Sequence, residues 1–134
     1  MNTEKIIHNN LLLAVIARDE DWQEGLNFIS SDVDFVQVGF WYYKKGKRLL
    51  SHMHLEAKRE VLKTQEVIFV KKGSLKADIF TQEGKLYKSI ELKKGDTGIF
   101  LNGGHGYEIL EEGTQVLEVK NGPYVGPEQD RKRI

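Results

Sequence analysis

Two histidines separated by a single residue, His52-Met-His54, are the feature of this sequence best suited to chemistry. On a β-strand, alternate side chains point to the same side, so both imidazoles would face one way and Met53 the other. Imidazole is the commonest metal ligand in proteins and is also the side chain that titrates near neutral pH. The pair therefore predicts either a metal site or an acid–base pair.

Glu66 is a third candidate, because it alternates with Ile68 and Val70 in an apolar stretch. If that stretch is a strand facing the interior, the carboxylate lies among aliphatic side chains. Burial of an unpaired carboxylate is very costly, so the pattern predicts a partner for it. That partner would be a metal cation, a histidine, or one of the basic residues Lys58, Arg59 and Lys63.

His105 is the fourth candidate and lies within Asn102-Gly-Gly-His-Gly106. Glycine on both sides permits a sharp turn and a close approach of the backbone to a ligand. Tyr107 and Ile109 follow on the same face, which predicts that His105 begins an inward-facing strand. Two or three imidazoles with one carboxylate suit Fe(II), Mn(II), Ni(II) or Zn(II). Such a site with an open position can polarise a carbonyl or hydroxyl group of a substrate.

The elements that would position these residues are short strands separated by glycine turns, which is the pattern of an all-β domain. The predicted strands are Leu11–Ala17, Asp34–Tyr43, Arg48–Leu55, Gln65–Lys72, Leu75–Ile79, Leu86–Leu92, Thr97–Leu101, Tyr107–Leu110 and Gln115–Lys120. One short helix is predicted at Asp21–Ile29, where Trp22, Leu26 and Ile29 recur at helical spacing. Closing these strands into a two-sheet jelly roll would remove most exposed strand edges.

Two stretches of the sequence resemble the two motifs of the cupin family. The first begins at Gly46, continues through His52-Met-His54 and Glu66, and ends at Gly73, with an inserted segment at Leu55–Gln65. The second begins at Lys93-Lys-Gly-Asp96, continues through apolar residues and ends at His105. The resemblance implies a single cupin domain over residues 1–134, with a double-stranded β-helix (jelly-roll barrel) at 34–120. Residues 1–33 would then supply an N-terminal strand and the short helix, and residues 121–134 a surface tail.

The same resemblance implies a metal-binding protein that acts on a small carbohydrate-like or anionic ligand. Shorter similarities, to cupins of sugar and polysaccharide biosynthesis, imply an isomerase or epimerase that transfers a proton at a carbon next to a carbonyl. The divalent transition metal (Fe, Mn, Ni or Zn) would be held by His52, His54, Glu66 and His105. The candidates for binding substrate are Arg48, Arg59, Lys63 and Tyr107.

Two alternatives remain open at this point. The first is a metal-free sugar-nucleotide ketoisomerase or epimerase, in which His52 and His54 act as catalytic base and acid and Glu66 orients one of them. The second is a non-catalytic cupin that senses a sugar. Cupins are frequently dimers, so the resemblance also implies a homodimer, in which the strand Leu11–Ala17 could be shared.

Charge and composition limit the other classes of partner. Lysine plus arginine equals aspartate plus glutamate at 20 each, and no apolar run approaches a membrane span, so neither nucleic acid nor membrane is an expected partner. The absence of cysteine fits a reducing compartment, and we expect a cytoplasmic protein. Residues 44–72 contain nine basic and three acidic residues, whereas residues 19–34 contain six acidic and none basic. These are either solvated faces or, for the basic segment, the border of a pocket for an anionic small molecule.

Overall fold

The computed structural model describes residues 1–134 and consists mainly of antiparallel strands. The strands are β1 (Glu4–His8), β2 (Leu11–Ala17), β3 (Gly25–Phe28), β4 (Gly39–Tyr42), β5 (Glu66–Lys72), β6 (Ser74–Phe80), β7 (Leu86–Lys93), β8 (Thr97–Phe100), β9 (Gly104–Ile109) and β10 (Gln115–Lys120). The only other elements are a 3-10 turn at Asp19–Asp21 and one helical turn, α1 (Pro127–Asp130). The all-β prediction is therefore confirmed.

Two sheets enclose the main core. A five-stranded sheet has the order β1-β2-β8-β5-β10, and a three-stranded sheet has the order β7-β6-β9. Every strand pairing is antiparallel. Alternating apolar side chains from both sheets meet between them, as period-two strands require. The core consists of Ile6, Leu13, Ala14, Ile16, Ile68, Val70, Leu75, Ala77, Ile79, Ile90, Leu92 and Phe100.

The other face of the five-stranded sheet is covered by the β3–β4 region. Val36 packs with Val15, Ile99 and Leu101 in a second, smaller cluster. The strands β3 and β4 form a separate two-stranded sheet. Strands β2 and β8 therefore have apolar neighbours on both faces, which explains why Leu11–Ala17 is a nearly continuous apolar run.

A buried carboxylate, that of Asp96, links the turn after β7 to the segment after β2. Arg18 Nη1 donates a hydrogen bond to Asp96 Oδ2 at 2.8 Å. The backbone N–H groups of Asp19 and Lys93 donate to the same carboxylate at 3.1 and 2.9 Å. The stretch Lys93-Lys-Gly-Asp96 forms a turn, with Gly95 at a φ of 89°.

Two predicted elements are wrong. The predicted helix Asp21–Ile29 is instead the end of the 3-10 turn and the strand β3, in which Leu26 lies opposite Trp41. Gly25 has a φ of 99°, which ends any helix there. The predicted strand Arg48–Leu55 is absent, because residues 43–65 form one long connection without regular structure.

The strand Leu11–Ala17, predicted as an element that a dimer could share, lies in the interior of the five-stranded sheet. Its two neighbours are β1 and β8 of the same chain, so both of its hydrogen-bonding edges are occupied. The edge position belongs to β1, which was not predicted. None of the helical segments has the length and apolar character needed to cross a membrane.

Candidate functional site

Glu66, His105 and Tyr107 meet at one end of the space between the two sheets. Nε2 of His105 lies 3.3 Å from Oε2 of Glu66. The hydroxyl of Tyr107 donates a hydrogen bond to Oε1 of the same carboxylate at 2.9 Å. Both oxygens of a nearly buried carboxylate are therefore engaged by groups on β9, and we call this arrangement the Glu66 cluster.

The strand register explains why these residues meet. Glu66 begins β5 and shares its inner face with the buried residues Ile68 and Val70, as predicted. His105 and Tyr107 alternate on β9 and so also point to one side. The partner that the buried carboxylate needs is thus a histidine, which was one of the possibilities that the sequence left open.

The chain enters β9 through a turn that only glycine accommodates. Gly103 has a φ of 72°, in the left-handed region. A Cβ placed on Gly103 would lie 2.2 Å from the backbone carbonyl oxygen of Phe80. The glycine pair before His105 therefore lets the backbone pass close to β6 and brings the imidazole into position.

Aromatic packing holds the imidazole in place. The ring of Phe100, at the end of β8, lies 5.0 Å from that of His105 and 5.5 Å from that of Tyr107, measured between centroids. The rings of His105 and Tyr107 are 5.3 Å apart. Contacts at these distances restrict side-chain rotation, which is what a positioned acid–base group requires.

Glu66 remains ionised over the whole physiological range. Burial raises the pKa of its carboxyl, but the hydrogen bond and positive charge of His105, together with hydrogen bonds from Glu118 and Tyr107, lower that pKa to about 2. Because the folded pKa lies below the ordinary value of 4.5, this group stabilises the fold above about pH 4.5. That stabilisation is lost as the pH falls toward 2.

Two neighbours of Glu66, Tyr107 and Glu118, have pKa values raised above their ordinary values. Burial, followed by the negative charge of Glu66, raises the pKa of the Tyr107 phenol, so this group stays a hydrogen-bond donor. Burial and the hydrogen bond and charge of Glu66 also raise the pKa of Glu118 on β10. Lys120 opposes this second shift from 3.7 Å away. Because two carboxylates in contact repel each other, Glu66 and Glu118 favour sharing one proton.

Replacing Glu118 by glutamine should increase thermal stability at high pH. The raised pKa of Glu118 means that its favourable contribution is present below about pH 4.5 and is lost as the pH rises through the folded-state pKa. Glutamine can still donate a hydrogen bond to Glu66 but carries no charge. Because Glu118 is half exposed, we expect a rise of only about 2 °C in Tm at pH 8, and no rise at pH 4, in thermal melts followed by circular dichroism.

The matched control is Glu112→Gln, which removes the same charge from an exposed position in the turn before β10. This variant should melt with wild type at both pH values. A Tm difference for Glu118→Gln that is the same at pH 4 and pH 8 would show that the two carboxylates do not repel each other in the folded protein.

A cavity of about 910 Å³ opens beside the Glu66 cluster. Only three of its 21 lining residues are hydrophobic, so it suits a polar occupant. Residues of β5, β9 and β10 form its floor, and the segment after α1 forms part of its rim. Thr64 donates a hydrogen bond to Asp130, which ties that segment to the start of β5. The basic lining residues are Lys63, Lys120, Arg131, Lys132 and Arg133.

His52 and His54 lie elsewhere, in the exposed connection between β4 and β5. Their rings are 5.1 Å apart, and Nδ1 of His52 lies 3.0 Å from the carbonyl oxygen of Leu50. Neither residue lines the cavity. Alternate side chains point to the same side only in a strand, and this segment is not a strand.

The four-residue centre predicted from the sequence is therefore not assembled in this structure. Only Glu66 and His105 come together, and no group of three or more His, Asp or Glu side chains is arranged to hold a metal ion. One imidazole and one carboxylate are fewer ligands than the four that the predicted metal site requires.

Of the four residues predicted to bind substrate, two lie at the cavity and two do not. Lys63 and Tyr107 line the cavity. Lys63 donates a hydrogen bond to Asn102 across its rim. Arg48 and Arg59 lie in the exposed connection and do not line the cavity.

Sequence reasoning missed Glu118 and the basic residues at 131–133. On β10 the polar residues Glu118 and Lys120 line the cavity, whereas Leu117 and Val119 are 58% and 48% exposed. This is the reverse of the usual assignment of apolar residues to the inside. The segment 131–133 has no periodic signal, and only its density of positive charge sets it apart. No protein-family model, no curated protein and no solved structure matches this chain significantly.

Proposed function

We propose that the protein binds a small, hydroxyl-rich, anionic ligand, such as a sugar phosphate or sugar nucleotide, and transfers a proton at a carbon next to its carbonyl group. The reaction class would be isomerisation or epimerisation. The observation that carries the proposal is the pair of His105 and Glu66, which faces a polar cavity with a basic rim. A positioned imidazole beside an ionised carboxylate is the minimal equipment for general acid–base catalysis.

His105 is the proton-transfer group in this proposal. Nε2 of His105 lies 3.3 Å from the carboxylate of Glu66, and this proximity favours the tautomer with the proton on that nitrogen. The lone pair then lies on Nδ1, which is the nitrogen that would meet a ligand. When Nδ1 takes a proton, the ionised Glu66 stabilises the imidazolium that forms.

Tyr107 and Glu118 have supporting roles. The phenol of Tyr107 donates to Glu66 and thereby fixes the direction in which the carboxylate faces His105. Glu118, with its raised pKa, can hold a proton at the edge of the cavity. It is therefore the candidate for returning a proton to the reacting carbon or its neighbouring oxygen.

The rim of the cavity favours an anionic ligand. The lining has five basic residues against four acidic ones (Glu66, Glu83, Glu118 and Asp130), and three of the positive charges are concentrated in the segment 131–133. Arginine and lysine are the side chains that bind phosphate, and the polar remainder of the lining can hydrogen-bond hydroxyl groups. Arg48 and Arg59, the other predicted phosphate ligands, have no part in this proposal.

The fold supports the proposal at a coarser level. Two facing antiparallel sheets with a polar cavity at one end agree with the cupin jelly roll that the sequence resembles. In that resemblance Glu66 belongs to the first motif and His105 to the second. The contact between these two residues is therefore the part of the resemblance that the proposal uses.

Solvent deuterium exchange tests the proposed activity. Protein without a histidine tag would be incubated in D₂O with a panel of nucleotide sugars and sugar phosphates, and mass spectrometry would detect one deuterium per turnover. We expect exchange with at least one member of the panel, unchanged by a chelator. Exchange that is lost with a chelator and restored by Fe, Mn, Ni or Zn would instead establish the metal-assisted form. Binding without exchange would establish a sugar sensor.

A further inference from the structure

Most of the connection between β4 and β5 is exposed, whereas its last residues, Lys63, Thr64 and Gln65, are hydrogen-bonded to other segments of the chain. We call residues 43–62 the basic loop, since they contain six lysines and arginines and two glutamates. Leu50, Met53 and Leu55 are 87%, 86% and 84% exposed. A connection of this length without regular structure is uncommon inside a compact domain and is usually functional. Exposed leucines and methionine in one segment are typical of an interaction site.

A second surface has the complementary properties. We call residues 19–42 the acidic hairpin, because they contain six acidic residues and no basic one. In its two-stranded sheet, Leu26 lies directly opposite Trp41, and Phe28 follows on the same face. These three side chains are about half exposed or more. An apolar face bordered by negative charge is thus presented to solvent.

The charged side chains of these two surfaces form no ion pairs within the chain. None of the lysines and arginines of the basic loop forms an ion pair, and none of the acidic residues of the acidic hairpin does so. The ion pairs that do occur lie elsewhere, such as Arg18 with Asp96 and Lys88 with Glu4. Opposite charges and two apolar faces therefore remain available for one contact.

We propose that the basic loop of one copy of this chain docks on the acidic hairpin of a second copy, and reciprocally. A two-fold dimer is the commonest assembly of soluble homo-oligomers, and it uses each surface twice. The two segments together contain more residues than the roughly 20–30 per side that are typical of a stable interface, so an interface of that size fits within them. Apolar contact provides the affinity, and charge complementarity selects the orientation and the partner. This route to a dimer does not use the strand Leu11–Ala17, and it is independent of the proposed catalytic function.

A charge-exchange experiment tests the proposal. The first variant, Lys44→Glu/Lys45→Glu/Arg48→Glu, makes the basic loop acidic. The second variant, Glu20→Lys/Glu24→Lys/Asp32→Lys, removes the net negative charge of the acidic hairpin, because three new lysines then balance the three remaining aspartates. All six positions are exposed, and their side chains make no hydrogen bond or ion pair. Asp21 and Asp34 are left unchanged because their side chains accept hydrogen bonds in local turns, and Asp19 because its backbone N–H donates to Asp96.

Light scattering after size exclusion, at about 100 µM protein, gives the readout. Wild type should have twice the 15.4 kDa mass of the chain. Each variant alone should be a monomer, with dimer affinity weakened about 100-fold or more. An equimolar mixture should recover part of the dimer, because the unchanged basic loop of the second variant then meets the unchanged acidic hairpin of the first variant. Raising the salt concentration should weaken the wild-type dimer.

The control variant Lys5→Glu/Lys71→Glu/Lys85→Glu makes the same change in net charge as the first variant, at exposed positions outside both surfaces. It should remain a dimer. A monomeric wild type, variants that dimerise alone, or a mixture that stays monomeric would each overturn the proposal. Wild type that is monomeric in solution but binds vesicles of anionic lipid would assign the basic loop to a membrane surface instead.

Discussion

Replacing Glu66 by glutamine should slow the deuterium exchange by about 10²–10⁴-fold, with little change in ligand affinity. Glutamine has the same shape and can still accept a hydrogen bond from Tyr107. It carries no charge, however, and can no longer stabilise the imidazolium of His105 or fix the tautomer of that ring. The loss should therefore appear in kcat rather than in KM, measured by initial rates on the substrate found in the exchange panel.

Two controls make this result specific. Glu83→Gln removes the same charge from another glutamate that lines the cavity, and its rate should stay within about 3-fold of wild type. His52→Ala/His54→Ala should do the same, because both residues lie outside the cavity. If the histidine double variant loses the activity and Glu66→Gln keeps it, the catalytic site is the one predicted from the His-Met-His pattern.

Replacing Asp96 by alanine should destabilise the fold by about 2–4 kcal/mol, or a fall of about 10 °C in Tm. Its carboxylate is almost fully buried and accepts hydrogen bonds from Arg18, Asp19 and Lys93. Alanine would leave the two backbone donors without a partner and the Arg18 guanidinium without its counter-charge. Chemical unfolding in urea measures the change in the free energy of unfolding.

Two further variants separate the charge from the hydrogen bonds at this position. Asp96→Asn keeps one acceptor oxygen and should lose about half as much stability. Asp32→Ala, at an exposed aspartate without a hydrogen bond, should stay within about 0.5 kcal/mol of wild type. An Asp96→Ala variant as stable as wild type would mean that this carboxylate does not link the two segments.

The sheet strands were predictable where apolar and polar residues alternate and a glycine turn follows. Residues 65–72 and 115–120 are examples, and the structure has β5 and β10 within one residue of those bounds. The face of β5 was predictable for the same reason, since Glu66, Ile68 and Val70 are all buried. The need of the buried carboxylate for a partner follows from the cost of burying a charge.

The errors arise where a local pattern has two interpretations. Trp22, Leu26 and Ile29 recur at helical spacing, but Leu26 pairs with Trp41 in a hairpin, and a long-range pairing of this kind is invisible to a local window. His52 and His54 alternate like strand residues, yet the leucines around them are exposed and no strand pairs with them. The sequence pattern therefore predicted acid–base and metal-binding roles for His52 and His54, which the structure places away from Glu66 and His105.

The remaining parts of the site could not be read from the sequence because they depend on which residues the fold brings together. Glu118 approaches Glu66 only because β10 pairs with β5 in a register that places Glu118 opposite Ile68. The basic residues at 131–133 reach the cavity because Asp130 is bonded to Thr64, on a segment distant in sequence. Neither the register of β10 against β5 nor the bond between Asp130 and Thr64 produces a periodic pattern in the sequence.

A nuclear magnetic resonance titration tests most directly whether the Glu66 cluster is the ligand site. Amide chemical shifts of ¹⁵N-labelled protein would be followed while a sugar nucleotide, the matching nucleoside and the free sugar phosphate are added in turn. We expect saturable shifts at residues 103–107, 118–120 and 131–134 with the phosphate-bearing ligands, and none at residues 50–55. Shifts confined to residues 50–55, or an absence of saturable shifts around His105 with any of the three, would contradict the proposed site.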